Sequence, residues 1–467
     1  MHGIVVLLTV ENGGLRVRCL RAGNQEWVHS SEPLKTGGAF SQAPSEENVS
    51  DENKLSDPVA GNGLFDRRQL LRAGAAGSLG LLVASAEGQE RPSWAGFPGE
   101  GMGPEGAPSK HEAHLRRGHV SAQAGANGSG ASRTPLEFLD GVITPSRLHF
   151  ERHHSGIPDI DPAQHKLFIH GLVERPLAFD LDSLARYPMV SRIQFLECSG
   201  NSGVLTAAEP VQGTCGSIHG LISASEWGGV PLSVLLDEAG VKPEGKWIVA
   251  GGADAALMSR SVPMDKIVDD TIVALYQNGE RLRPANGYPM RLFVPGWEGN
   301  ISVKWLRSIK VTAGPGMTKD ETSKYSDLKN DGRATLFTFP MAVKSVITSP
   351  SPGLAMHEPG VYQISGLAWT GSGRVKRVEL STDGGKSWAD ASLDEHVLPK
   401  CLTRFRAAWR WNGAPATIMS RASDETGAVQ PDRQSWLVGQ SNGNFYHYNA
   451  IHAWRIGADG EAAHVYV

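Results

Sequence analysis

From Thr134 onward the chain is a series of short apolar runs punctuated by Gly and Pro, and this rhythm limits what it can fold into. Pro231 to Ala239 is the clearer helix, with Pro at its start and Gly240 just past its end. Leu181 to Tyr187 reads as a shorter helix, stopped by Pro188. Strands are expected at 165–173, 191–198, 246–251, 271–276, 290–294 and 303–312. Such a mixture with long loops indicates an α+β domain over 134–335 rather than a regular βαβ series. From about Thr338 helices vanish. Strands are expected at 360–370, 375–382, 404–411, 416–422 and 451–456, with a tight turn at Asp383-Gly384-Gly385. That pattern predicts an all-β immunoglobulin-like sandwich over 338–467. Trp369, Trp388, Trp409 and Trp411 are expected to be packing residues.

A length of 467 residues suggests two or three domains. A net charge of -4 gives no support for nucleic-acid or membrane-surface binding by bulk electrostatics. Of the four cysteines, Cys19 lies in a region expected to be removed. Cys215 and Cys401 form a disulfide only if the protein is exported and the two meet, which the sequence leaves open. No CxxCH occurs, so no c-type haem is attached to this chain.

Residues 65–86 read as a twin-arginine export signal. Arg67 and Arg68 precede Leu70 and Leu71, then a weakly apolar Gly/Ala-rich run closes on Ala84-Ser85-Ala86. The run is shorter than the ~20 residues that span a bilayer. The expected location is therefore the periplasm, reached in a folded state. Residues 1–64 are read as a leader, nonnative or disordered. The Gly-, Ser-, Pro- and Ala-rich stretch 87–133 is read as a flexible linker.

Cys198 follows the apolar run Ile193 to Leu196 and precedes Ser199-Gly200-Asn201-Ser202. This reads as a strand delivering one thiol to a sheet edge, where small residues let a bulky ligand approach the backbone. No second cysteine lies at zinc or Fe–S spacing. Two readings follow: a buried inert thiol, or one soft ligand to a metal whose other ligands belong to a cofactor.

Several stretches together resemble the sulfite oxidase family of molybdenum enzymes, most nearly its SoxC-type sulfane dehydrogenases. They are 150–161 (FERHHSGIPDID), 195–202, 286–311, 321–328 (ETSKYSDL) and 420–431 (SRASDETGAVQP). The resemblance implies a molybdenum–molybdopterin cofactor, a pyranopterin dithiolene whose metal takes a third sulfur from Cys198. It implies that Arg152 clamps an anionic sulfur group. Tyr325, 21 residues after Lys304, matches the active-site tyrosine that hydrogen-bonds substrate or an oxo group. Cofactor-binding positions match Phe150, Arg152, His154, Asp254, Asn286, Arg291, Ser302, Val303 and Lys304.

Two departures matter. Vertebrate-type sulfite oxidases carry a substrate-side arginine five residues after the cysteine; here that residue is Gly203. A third arginine, near the C-terminus, falls at His447. Fewer fixed cations weaken capture of a small dianion and leave room for a longer substrate. The resemblance thus implies a periplasmic dehydrogenase oxidising sulfane sulfur carried on a partner protein of a thiosulfate-oxidising system. Electrons would pass to a c-type cytochrome, and the sandwich would mediate a homodimer or a heterotetramer with that cytochrome. The alternatives are dehydrogenation of free sulfite, sulfoxide reduction at the same site, and a non-catalytic binding scaffold.

Overall fold

The computed structural model describes residues 4–11, 14–21, 64–65, 98, 101, 105–120, 128–438, 440 and 446–467. Arg67, Arg68 and the rest of the predicted signal after Phe65 lie outside them. Inside the segment read as leader, Ile4–Glu11 and Gly14–Arg21 form an antiparallel hairpin. Among the described residues no helix is long and apolar enough to cross a membrane.

Strand structure begins before Thr134, inside the segment read as a flexible linker. Gly130–Arg133 and Gly118–Val120 form a three-stranded sheet with Glu151–His153, in which Ala131 faces Arg152. Two five-stranded sheets form the body of the first domain. One orders Glu280–Arg281, Ile272–Gln277, Ile222–Pro231 and Val190–Glu197, with Arg291–Phe293 added to Ile272–Gln277. The other orders Ser259–Pro263, Trp247–Gly252, Leu306–Thr312, Leu167–Gly171 and Leu177–Phe179. Ile222–Pro231, Ser259–Pro263 and the helix Met264–Asp270 had no sequence expectation. Leu232–Ala239 is amphipathic as expected: Leu232, Leu235, Leu236 and Ala239 are buried, and Gly240 at φ 70 ends the helix.

The second domain is a sandwich of two five-stranded sheets. Lys344–Ser349, Gly360–Trp369, Thr403–Trp411 and Ser392–Leu393 form one, and Leu64–Phe65 pairs with Thr403–Trp411. Ala389–Asp390, Val375–Ser381, Ala416–Asp424, Ala453–Ile456 and Ala462–Val465 form the other. Gly384 and Gly385, at φ 73 and 87, make the turn into Ala389–Asp390. Trp369, Trp409 and Trp411 are core residues, whereas Trp388 is half-buried. Cys215 and Cys401 are both free and buried in this core. The core is continuous with the first domain, because Phe195, Leu205 and Ile222 pack into the same cluster. At ~25 cal/mol per Å² of buried apolar surface, a shared cluster of this size couples the two domains into one stability unit.

Candidate active site

The strand Val190–Glu197 ends by placing Cys198 at the wall of a pocket with about 680 Å³ of atom-free space. Its amide donates to the Leu221 carbonyl (2.9 Å), and its carbonyl accepts from the Asn201 amide (2.8 Å). Asn201 then closes the turn, donating to Glu197 Oε1 (3.0 Å) and accepting from the Leu221 amide (3.1 Å). Gly299 lets a neighbouring loop lie against this strand. Its amide donates to the Glu197 carbonyl (2.6 Å), and a Cβ there would sit 2.7 Å from that oxygen. Burial pushes the Cys198 thiol above its usual range, although Arg152 and Arg133 pull the other way. Forming a thiolate here therefore calls for a strong electrophile such as a metal.

All eleven residues singled out in the sequence line this one pocket: Phe150, Arg152, His154, Cys198, Asp254, Asn286, Arg291, Ser302, Val303, Lys304 and Tyr325. Lys304 Nζ donates to the Arg152 and Ala285 carbonyls (3.1 Å each) and lies 2.7 Å from His153 Nδ1. Burial, then the charge on Arg291, lowers its pKa. Burial lowers His153 to about 3, so its imidazole is neutral and accepts from the ammonium. Arg291 spans Asn286 O (3.0 Å) and Ser302 O (2.7 Å), and burial pushes it down to about 9. Gly287, at φ 113, keeps this corner open; a Cβ would crowd both Arg291 and Lys304.

Arg291 Nε is buried without a partner, and so is His149 Nε2. His149 Nδ1 meets the Phe150 carbonyl at 3.0 Å and the Asn286 amide nitrogen at 3.3 Å; in the tautomer that donates to the shorter contact, Nε2 is an acceptor. Unpaired buried donors and acceptors cost about 1–3 kcal/mol each unless a ligand satisfies them. A flat heterocycle with ring N–H groups and an attached phosphate suits this lining: an acceptor at His149, and cations at Lys304 and Arg291. Among the described residues no group of three or more His, Cys, Asp or Glu could hold a metal. Cys198 thus stands as the one thiol among the residues lining a pocket suited to an organic partner.

Tyr325 forms the other side. Its phenol lies 2.7 Å from His154 Nε2, and its ring packs 5.5 Å from Tyr446. Burial lowers His154 to about 3 and raises the phenol far above its usual range, so both stay neutral. The tautomer of His154 decides whether the phenol donates to it or is free to donate into the pocket. Asn300 also lines the pocket, bonded to Ser199 Oγ (3.2 Å) and Glu298 Oε2 (2.7 Å). His447 points away from substrate space. Its Nε2 contacts Thr338 Oγ1 (2.9 Å) and Glu298 Oε1 (3.3 Å), and its amide donates to the Ser199 carbonyl (2.8 Å).

Sequence reasoning missed His149, His153, Asn300 and Trp305. His153, Asn300 and Trp305 lay inside the stretches 150–161 and 286–311 without being singled out, and His149 lay one residue outside the first.

Comparisons with known proteins agree with this geometry. Residues 154–319 match the family described as oxidoreductase molybdopterin binding domain. Residues 336–454 match the Mo-co oxidoreductase dimerisation domain. Sulfite oxidase from Gallus gallus is 32% identical over 324 residues, covering 64% of this chain and 70% of that one. An NADH nitrate reductase from Solanum lycopersicum is 31% identical over 66% of this chain, but the chain spans only 38% of its length. The crystal structure of the sulfane dehydrogenase SoxCD from Paracoccus pantotrophus is similar at a TM-score of 0.79 and 45% identity, over 81% of this chain and 98% of that one.

Proposed function

The chain belongs to the sulfite oxidase family of molybdenum oxidoreductases, and from that premise we propose that it is a periplasmic sulfane dehydrogenase. Its substrate is sulfane sulfur carried on a partner protein, its electron acceptor a c-type cytochrome, and its route of export the twin-arginine signal at 65–86. When bound, the molybdenum–pterin cofactor supplies the two-electron step. The chain's own residues do the rest. Cys198 would hold the metal through its sulfur. Asn286, Arg291, Ser302, Val303 and Lys304 would bind the pterin and its phosphate, with Phe150, Asp254 and His154 as further cofactor contacts. Arg152 offers a planar fork to an anionic sulfur group. Tyr325 keeps its proton at the phenol oxygen and His154 stays neutral, so the pair would act on substrate by hydrogen bonding.

One observation carries the choice of substrate. Two positions that hold cations in vertebrate-type sulfite oxidases are here Gly203 and His447, and the His447 ring is committed to Glu298 and Thr338. A small free dianion finds one guanidinium, Arg152, where those enzymes offer three. The 45% identity to SoxCD supports the same reading. A second reading, dehydrogenation of free sulfite, is favoured by the likeness to the Gallus gallus enzyme. Turnover with thiosulfate plus sulfur-carrier proteins, measured against turnover of free sulfite with the same cytochrome acceptor, separates them. Efficient, carrier-independent oxidation of sulfite would replace the first reading by the second.

A further inference from the structure

Arg260 belongs to no motif in the sequence, yet it is the buried cation that ties the catalytic wall together. It sits on the edge strand Ser259–Pro263, opposite Ala250, with its side chain 1% exposed. The guanidinium meets several groups at once. Its NH1 donates to Asn300 Oδ1. Its Cζ stands 5.0 Å from the centroid of the Tyr325 ring. Its Nε lies 3.7 Å from Glu321, and NH1 lies 3.8 Å from Glu298.

Each contact leads to a pocket group. Asn300 turns its amide onto Ser199 Oγ, one residue from Cys198. Glu321 organises the segment that delivers Tyr325. Its carboxylate accepts from the amide and hydroxyl of Ser261 and from the Thr318 amide (2.9 Å), capping Lys319–Thr322. Tyr325 itself has φ 46, a left-handed backbone that an aromatic residue keeps only when its surroundings hold it.

Charge alone does not explain Arg260. Two buried carboxylates flank it, so its field over the pocket is largely cancelled. What remains is direction: NH1 holds the Asn300 amide while the guanidinium carbon lies 5.0 Å from the Tyr325 ring centroid, a pairing that a compact ammonium does not reproduce.

We propose that Arg260 is a positioning residue for the reaction, setting the height of the Tyr325 ring and the orientation of the Asn300 amide beside Cys198. This rests on the functional reading above only for the identity of the substrate. The positioning itself is visible without cofactor.

The test uses the full chain labelled with 3-fluorotyrosine, with Tyr325→Phe to assign the Tyr325 resonance. In cofactor-free protein, Arg260→Lys shifts that one resonance. In molybdenum-loaded protein it lowers kcat by about 10- to 100-fold, with KM changed by less than about threefold. In the Tyr325→Phe background the same change costs less than it does in wild type, because the phenol has gone and only the Asn300 amide is left to misplace. Should Arg260→Lys fail to fold, Arg260→Gln, which leaves the Glu321 cap in place, is read in the same way. An unmoved fluorine resonance, or equal losses in both backgrounds, overturns the proposal. Wild-type protein that takes up no molybdenum would count against the functional reading alone, since the fluorine measurement still decides the positioning.

Discussion

The two faces of the strand that ends at Cys198 are built on opposite principles. On one face Glu197 is fully paired: it meets Asn201 (3.0 Å), Trp369 Nε1 (2.7 Å) and Lys344 (3.5 Å), and Lys344 also donates to Ser202 (2.7 Å). On the other face, across the pocket, His149 Nε2 and Arg291 Nε have no partner. Both environments are dry and polar, so both are costly unless satisfied. One is satisfied within the chain and serves the fold. The other is left open and serves a ligand. Buried polarity alone therefore does not mark a site; unspent hydrogen-bonding capacity on the wall of a cavity narrows the search, since His219 Nε2 and both His452 nitrogens are also unpartnered away from the pocket.

Substitutions on the two faces should separate stability from loading. The largest effect is expected from Cys198→Ser. Molybdenum content by elemental analysis should fall to background and turnover by well over a hundredfold, more than a second-sphere change costs. The melting temperature of the cofactor-free protein should hardly move. Glu197→Gln should do the reverse: with Lys344 left uncompensated, unfolding in denaturant should come about 3–5 kcal/mol earlier, whereas folded protein still loads metal. A loss of loading with full stability would break the distinction.

His447 offers a test by pH. Burial opposes its charge, but the hydrogen bond and charge of Glu298 outweigh that, and its pKa lies above the unfolded value of 6.5. Its contribution to stability is therefore complete below 6.5 and fades as pH rises through the folded value. His447→Gln should cost about 1.5–3 kcal/mol in the acidic range. The gap from wild type should narrow in denaturant melts at about pH 9. The smallest effect is expected at His149. Replacement by Phe loses the Nδ1 bond to the Phe150 carbonyl but also removes the unpartnered Nε2, and the two effects offset, so stability should change by less than about 1 kcal/mol. Pterin retention during dialysis, followed by fluorescence of the released cofactor, should weaken about tenfold.

Much of this was legible in the chain. The sandwich strands were visible because apolar alternation, Gly turns and buried tryptophans act locally. The pocket residues were visible because motifs at 150–154, 198, 286–304 and 325 come in order, and they converge on one cavity. Arg260 was not visible: its strand is five residues of Ser, Arg and Pro around one Val, and its partners are 38 to 65 residues away. Asn300 and Glu298 were hidden for the same reason, since a loop residue's partners are set by tertiary packing. The strands Gly118–Val120 and Gly130–Arg133 were lost in a composition that reads as linker, because a strand paired with Arg152's own needs little hydrophobicity.

The C-terminal module reaches back to the catalytic loop at several points. The Lys400 carbonyl takes the Phe195 amide, the His447 amide is bound to Ser199, and Lys344 and Trp369 both grip Glu197. The two halves are consequently inseparable as parts. A gene fragment ending near Thr338 would leave the Cys198 turn without its back wall, and swapping in a foreign sandwich would mean rebuilding the contacts that hold that turn.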